Sequence, residues 1–241
     1  MNLFKYSSPA AFFPLAGKLT PWFAALAVVF GVVGLYLGLV VAPTDFQQGE
    51  VYRILYIHVP TAIIGMFIYL VMAAYGVMAF TFNTRLSAMM MEALAPTGAI
   101  FTALALFTGG MWGKPTWGTY WVWDARTTST LILLFLYVGY IALVNAIEDK
   151  KRADKAGALL VIVGSVNIPI IYFSVKWWNT LHQGSSVSMN ANAIASPSMR
   201  YALLLMTVAL WAYAVAMALV RVRAIILERE AGAAWISGKD A

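Results

Sequence analysis

Apolar residues run along the chain in six long stretches, separated by five short polar segments. The stretches lie near residues 22–42, 60–82, 93–112, 128–147, 157–175 and 200–220. Each matches the length of about 20 residues that a helix needs to cross the hydrocarbon core of a bilayer. The short alternating segments of a transmembrane β-barrel are absent. The pattern therefore predicts an all-α, polytopic membrane protein with six transmembrane helices, in one integral membrane domain over residues 1–241.

Three local features modify this prediction. Residues 1–21 lack a continuous apolar core followed by small residues at a cleavage site, so we expect a retained segment at the membrane interface. Pro96 and Pro169 fall inside the third and fifth stretches, where proline is expected to kink a helix. Asn167 is a polar residue at membrane depth, and we expect its side chain to bond to a neighbouring helix.

The positions of lysine and arginine predict the orientation of the helices. Assigning successive loops alternately to the two sides of the membrane divides these residues into a group of eleven and a group of five. The larger group is Lys5, Lys18, Arg85, Lys150, Lys151, Arg152, Lys155, Arg221, Arg223, Arg229 and Lys239; the smaller is Arg53, Lys114, Arg126, Lys176 and Arg200. Cytoplasmic loops are enriched in these residues, so both termini should be cytoplasmic. The segments 43–59, 113–127 and 176–199 then face outward.

Composition supports the membrane class and excludes several kinds of chemistry. The chain is 62% hydrophobic and 11% charged, whereas soluble domains keep roughly a quarter of their residues charged. It contains no cysteine, which excludes disulfides, thiolate metal sites and thioether links to a cofactor. It has no Walker A sequence and so should not hydrolyse ATP itself. The net charge of +6 comes from basic residues in the predicted loops and at the ends of the spans. We expect no nucleic-acid partner.

The chain has two histidines, and the predicted topology places both at the outer level. His58 precedes Pro60 at the outer end of helix two, and His182 lies in the last outward loop. Histidine is the commonest metal ligand, and two imidazoles from opposite sides can ligate heme iron in a six-coordinate state. Alone they cannot make a structural zinc site, which needs about four ligands. Two unrelated interface histidines are the alternative.

Tryptophans concentrate at the same level. Only Trp22 is predicted near the inner interface, while Trp211 falls in helix six and Trp235 in the tail. The six outer tryptophans are Trp112, Trp117, Trp121, Trp123, Trp177 and Trp178. An aromatic belt would occupy both interfaces, whereas indole faces can also stack on a porphyrin and exclude water from it. Because Gly113, Pro115 and Gly118 disfavour a continuous helix, residues 112–127 are predicted to be an outward-facing loop.

Charged residues beside this loop have two interpretations each. Arg53, Lys114, Arg126 and Lys176 are outward and lie next to the aromatic segments. They could pair with the propionates of a heme, for which arginine has the better forked geometry, or anchor helix ends at the lipid headgroups. Asp124 should cap the N-terminus of helix four; contact with a ligand, or with a tryptophan N–H, is the alternative.

The segment WGTYWVWD, residues 117–124, resembles the tryptophan-rich WWD signature of the heme-handling proteins of cytochrome c biogenesis. Together with YRILYIHVP at 52–60 and KWWNTLHQGSS at 176–186, it makes the chain similar to the CcmC family, heme exporter protein C. The resemblance extends from about residue 45 to residue 221. The longer WWD synthetases have many more helices than this chain length allows.

The resemblance implies roles for these residues. His58 and His182 would be axial ligands of heme b, carried as cargo rather than used by an enzyme. Trp112, Trp117, Trp121, Trp123 and Asp124 would form the heme platform, with support from Trp177 and Trp178. The family presents heme for covalent attachment to the chaperone CcmE, beside the ATP-binding cassette subunits CcmA and CcmB and the small protein CcmD, in the inner (cytoplasmic) membrane.

Two other functions stay open from the residues alone. A b-type cytochrome subunit also uses paired histidines, but usually within facing helices and often with two hemes across the membrane. A permease could move heme or another solute through its own helix bundle, although such transporters tend to bind near the bilayer midplane. Apart from Asn167, this chain offers few polar groups at that depth.

Overall fold

Helices account for nearly all of the structure, a computed structural model that describes residues 6–178, 180–182 and 196–237. Six segments are long and apolar enough to cross a membrane, judged by length and composition. The helices are α1 (Pro9–Tyr36), α2 (Leu55–Phe82), α3 (Arg85–Trp117), α4 (Ala125–Ala146), α5 (Lys150–Gly164), α6 (Asn167–Trp177), α7 (Pro197–Arg229) and α8 (Ala234–Ser237). The predicted all-α, polytopic fold is confirmed. Lys5 and Lys239 and most of the outward segment 176–199 lie outside the described residues.

The first helix is longer than the sequence pattern indicated. It begins at Pro9 instead of near residue 22, and Ser8 caps it by accepting a 3.4 Å hydrogen bond from the amide of Ala11. Proline is favourable in the first turn, because its missing N–H has no partner there. Residues 9–21, predicted as an interface segment, are therefore part of the helix. A π-helical turn at Leu37–Val41 continues it, and α1 packs mainly against α7.

The fifth membrane-spanning segment is divided into two helices close to Pro169. The span Lys150–Trp177 consists of α5 and α6, separated at Ser165 and Val166. Pro169 has no N–H to donate to the carbonyl four residues earlier, which disfavours an unbroken helix. The expected disturbance at Pro169 is thus confirmed, whereas α3 continues through Pro96. The side chain of Asn167 donates a 2.9 Å bond to the carbonyl of Ser129 on α4, as predicted.

A buried tyrosine fixes α2, α3 and α4 at close range. The hydroxyl of Tyr137 on α4 donates a 2.7 Å hydrogen bond to the carbonyl of Gly65 on α2. Its ring also lies against Gly98 of α3, where an added Cβ would come within 2.2 Å of the ring carbon Cζ. Since no side chain larger than glycine fits at residue 98, the helices approach closely. This packing joins the middle parts of α2, α3 and α4.

The two ends of the bundle differ in character. We call the end with the first turn of α2 the outer end and the opposite end the inner end, following the predicted orientation. At the inner end, the guanidinium of Arg229 binds the carboxylates of Glu92 and Asp154, which joins α7 to α3 and α5. Arg85 pairs there with Glu230 at 2.7 Å. These ion pairs link α7 and the segment after it to α3 and α5 at this end of the bundle.

Candidate functional site

His58 lies in the first turns of α2, and its ring is held by α3. The ring nitrogen Nδ1 is 3.0 Å from the carbonyl oxygen of Ala105 and 3.1 Å from the hydroxyl of Thr108. A carbonyl only accepts, so Nδ1 carries the proton, and Nε2 keeps its lone pair. Gly109 makes room for the ring, because a Cβ there would lie 2.9 Å from His58 Cε1. A histidine held in this way could bind a metal through Nε2.

His182 reaches the same place from the segment that follows α6. Its ring centroid is 6.2 Å from that of His58, and the two ring planes are inclined by 31°. Imidazole nitrogens bind metals at about 2 Å, so two imidazoles sharing one ion have centroids about 6 Å apart. The observed centroid separation is close to this value.

Two tryptophans flank the histidine pair. Trp112 presents its ring edge-on to His58, with centroids 5.7 Å apart, and its Nε1 donates a 2.6 Å bond to the side chain of Gln48. Trp117 lies 5.8 Å from His182, inclined by 56°. Both belong to α3, which continues to Trp117. The predicted loop over 112–127 is consequently too long, since its first third is helical.

The loop proper runs from Gly118 to Asp124 and folds back over the last turns of α3. Gly118 ends the helix with a positive φ of 83°, a conformation that glycine adopts without strain. The returning backbone passes close to Gly110, where a Cβ would lie 2.9 Å from the carbonyl oxygen of Tyr120. Trp121 and Trp123 meet edge-on at 5.3 Å. Trp123 is 74% exposed, while Nε1 of Trp121 is buried and has no hydrogen-bond partner among the described residues.

Asp124 caps helix α4, as the sequence predicted. Its Oδ1 accepts a 2.8 Å hydrogen bond from the amide of Thr127 and a 2.9 Å bond from the hydroxyl of the same residue. The alternative role of orienting a tryptophan N–H does not apply to Trp121. The carboxylate thus anchors the C-terminal end of the loop to the first turn of α4.

The four predicted propionate partners differ in how many contacts their charged groups make with the rest of the described chain. Arg53 binds Glu50 and the carbonyls of Gly38 and Ala42, so its guanidinium is committed to the end of α1. Lys114 lies 5.4 Å above the Tyr120 ring, and Lys176 lies 5.9 Å above the Phe173 ring. Arg126, in the first turn of α4, donates one bond of 3.0 Å, to the carbonyl of Ile171. Its charge also lies within electrostatic reach of His58.

Trp177 and Trp178, at the end of α6, form a separate aromatic group. Trp177 stacks on Phe173 with centroids 5.0 Å apart and meets Trp178 at 5.8 Å. Both are at least half exposed. Among the ring contacts of the described residues, neither tryptophan touches His58 or His182, so their predicted supporting role has no direct contact behind it.

Comparison with known proteins gives one consistent result. A model of the family described as CcmC, heme exporter protein C, matches residues 2–237. The chain is 44% identical to heme exporter protein C of Escherichia coli K12 over 98% of its length and 95% of the relative's. It is 45% identical to the protein of that name from Haemophilus influenzae, over 97% of this chain and 95% of the relative. The chain belongs to the CcmC family.

Membership confirms the family that the WWD, YRILYIHVP and KWWNTLHQGSS segments indicated. In this CcmC-family chain the fold brings together His58, His182, Trp112, Trp117 and Arg126. No local sequence pattern indicates a role for Gln48, because its contact with Trp112 spans 64 residues. Ala105 and Gly109 were also missed, although a glycine pair inside an apolar helix is a usable sign of close approach.

Proposed function

We propose that this CcmC-family chain binds heme b as cargo between His58 and His182, at the outer face of the inner membrane. It then presents the heme for covalent attachment to a histidine of the chaperone CcmE. The observation that carries the proposal is the 6.2 Å separation of the two imidazole centroids, together with Nε2 of His58, for which the described residues provide no hydrogen bond. The printed name of the relatives, heme exporter protein C, supports a role in heme export and cytochrome c biogenesis.

The ligand count favours an iron porphyrin over a free ion. Two imidazoles supply two of the six positions of an octahedral metal, and a porphyrin supplies the other four in one plane. That plane would cross the gap between His58 and His182. Because the bond from Nδ1 to the Ala105 carbonyl fixes the His58 ring, the iron would meet one preset ligand, while His182 comes from a segment with fewer helical constraints.

The surrounding residues have distinct roles in this proposal. Trp112 and Trp117 bracket the two ligands, and Trp121 and Trp123 extend an aromatic surface along the loop as the heme platform. Arg126 is the strongest propionate partner of the four basic residues, since its guanidinium has the forked geometry that suits a carboxylate and its charge lies within electrostatic reach of His58, while it makes one hydrogen bond among the described residues. The buried Nε1 of Trp121 is a second donor that a propionate oxygen could satisfy. Arg53, already bound to three partners, is the weakest.

The chain acts by positioning, not as an enzyme in its own right. Holding the porphyrin edge at the membrane surface lets a chaperone histidine approach a vinyl group in a productive orientation, while the reactivity comes from the heme. CcmA, CcmB and CcmD are the partners proposed for release of the loaded chaperone.

Transfer to the chaperone tests this function. CcmE is co-expressed with the chain, and covalent heme on CcmE is measured by heme staining after denaturing electrophoresis. We expect His58→Ala and His182→Ala each to reduce stained CcmE at least tenfold, and Arg200→Gln, an exposed outer-end control, to leave it unchanged. Equal staining of CcmE with both histidine variants would rule the proposal out. Repeating the assay without CcmA and CcmB separates presentation from release.

A further inference from the structure

A second pocket lies at the inner end of the bundle, far from the histidine pair. It has a volume of about 260 Å³ and is bounded by α3, α4 and α7. Its wall is mostly apolar, with Ile141 and Val144 from α4 and Ala224 and Ile225 from α7, and it contains two charged residues, Glu92 and Arg221. Ala224 is exposed at the surface of the bundle, so the pocket can be entered from the lipid side.

The cation in this pocket is incompletely satisfied. Nη1 of Arg221 donates to the hydroxyl of Thr97 and, at 3.5 Å, to the carbonyl of Ala93. Within the described part of the chain, no carboxylate lies within ion-pair distance of this guanidinium, and its Nε and Nη2 groups make no hydrogen bond. A charged side chain at membrane depth is costly unless it pairs or faces water. Arg221 therefore keeps donors that an anion from outside the chain could bind.

The carboxylate of Glu92, in the same pocket, belongs to a group with excess negative charge. Oε2 of Glu92 accepts from Arg229, but the same guanidinium also binds both oxygens of Asp154. One positive charge thus serves two negative ones, and a net negative charge remains. Oε1 of Glu92 has no donor among the described residues. A cationic donor at this position would complete the group.

The two charges are ordered along the membrane normal. Arg221 reaches Thr97, which lies five residues beyond Glu92 on α3, or about 7 Å along the helix axis. Glu92 is nearer the inner end, where the chain meets water, and Arg221 is nearer the hydrocarbon. A zwitterionic phospholipid has the same order, with its phosphate beside the glycerol and its ammonium towards water.

We propose that this pocket binds an inner-leaflet phospholipid whose headgroup ends in a primary ammonium, as in phosphatidylethanolamine. The phosphate pairs with Arg221 through charge-assisted hydrogen bonds, and the ammonium donates to Glu92. The acyl chains extend from the phosphate towards the membrane midplane. An anionic lipid would satisfy Arg221 but leave the excess charge of Glu92 and Asp154 unbalanced. A choline headgroup has no N–H to donate to Oε1.

Native mass spectrometry of the full-length chain tests this binding. The protein is equilibrated in detergent with equal amounts of phosphatidylethanolamine, phosphatidylglycerol and phosphatidylcholine, and the retained lipid is identified. We expect phosphatidylethanolamine to be retained about fivefold or more over the other two. Arg221→Gln should reduce its retention about tenfold, as expected for the loss of one charge-assisted contact. Arg200→Gln, at the opposite end, should change nothing.

Two further variants keep the test decisive if Arg221→Gln disturbs packing against Thr97. Ala224→Trp fills the pocket from its exposed wall and should abolish the retained lipid in a protein with unchanged helix content. Glu92→Gln should remove the preference for phosphatidylethanolamine over phosphatidylglycerol. Equal retention of all three lipids by the unmodified chain, or undiminished retention by Ala224→Trp, would overturn the proposal.

Discussion

His58 on α2 is joined to Ala105 on α3 by a 3.0 Å hydrogen bond from the ring nitrogen Nδ1 to the backbone carbonyl. The bond leaves the lone pair of Nε2 available, because the imidazole carries only one proton when neutral. A ligand fixed in this way needs no reorientation when iron binds, whereas an unsupported imidazole would lose rotational freedom on binding. The proposed heme binding therefore depends on α3 as much as on the two histidines.

Space for the His58 ring is the first property to test. An alanine at residue 109 would place Cβ 2.9 Å from His58 Cε1 and displace the ring from Ala105. We expect Gly109→Ala to reduce heme occupancy about tenfold, within the range seen when a supporting partner of a metal ligand is lost. Gly139→Ala is the matched control, since no atom lies within 4 Å of its added Cβ. Heme content per protein after purification measures both, and equal contents would contradict the steric role of Gly109.

The contact between Gln48 and Trp112 should position the histidine indirectly. Gln48→Ala removes the acceptor of the Trp112 N–H, at a cost of about 1 kcal/mol for one hydrogen bond. We expect a shifted heme absorption band and lower thermal stability, with both axial ligands retained. Gln47→Ala removes an exposed neighbouring side chain and should leave the spectrum as it is. An identical spectrum in the two variants would show that Trp112 does not need this acceptor.

Removing the N-cap of α4 tests whether Asp124 anchors the loop 118–124 as well as stabilising the protein. Asp124→Ala should destabilise the protein by about 0.5–2 kcal/mol, the usual effect of losing an N-cap, and should also lower heme occupancy, because the loop 118–124 loses its anchor. Asp149→Ala removes an equivalent cap from α5 at the inner end. It should lower thermal stability to a similar extent without affecting heme. Parallel melting curves and heme assays distinguish the two, and equal heme loss in both would contradict a local role for Asp124.

Acid should release the heme. Only a neutral imidazole has a lone pair for iron, so protons compete with the metal for Nε2. Heme binding should accordingly weaken as the pH falls. Spectra recorded on the purified, heme-loaded chain between pH 8 and pH 3 measure the release. Undiminished six-coordinate absorption at pH 3 would be inconsistent with ligation by two histidines.

The sequence specified the fold well where hydropathy decides it, and less well at helix ends. Six apolar stretches predicted six spans because each must satisfy its backbone groups internally in lipid. The early part of α1 also makes a tertiary contact that hydropathy does not reveal. The guanidinium of Arg223 on α7 lies 4.5 Å above the Phe13 ring and close to Gly17. Similarly, Gly113 does not break α3, because it is buried beneath the returning loop near Thr119.

The site was predictable in its residue types but not in its geometry. The count of lysine and arginine placed His58, His182 and the outer tryptophans at one level, which is where the described residues bring the two histidines and Trp112 together. It could not separate Arg126 from Arg53, since both are outward arginines near the ends of spans. That difference arises from the π-helical end of α1, whose carbonyls at Gly38 and Ala42 bind Arg53. The sequence around Arg53 does not indicate hydrogen-bond acceptors that lie so far away along the chain.

Absorption and electron paramagnetic resonance spectra of the heme-loaded chain test the central claim most directly. We predict a low-spin, six-coordinate spectrum for the unmodified protein, and loss of that spectrum in both His58→Gly and His182→Gly. Added imidazole should restore it in each variant, because the small ligand fills the vacated position while the fold is kept. An unchanged six-coordinate spectrum in both variants without imidazole would contradict the assignment of His58 and His182 as the iron ligands.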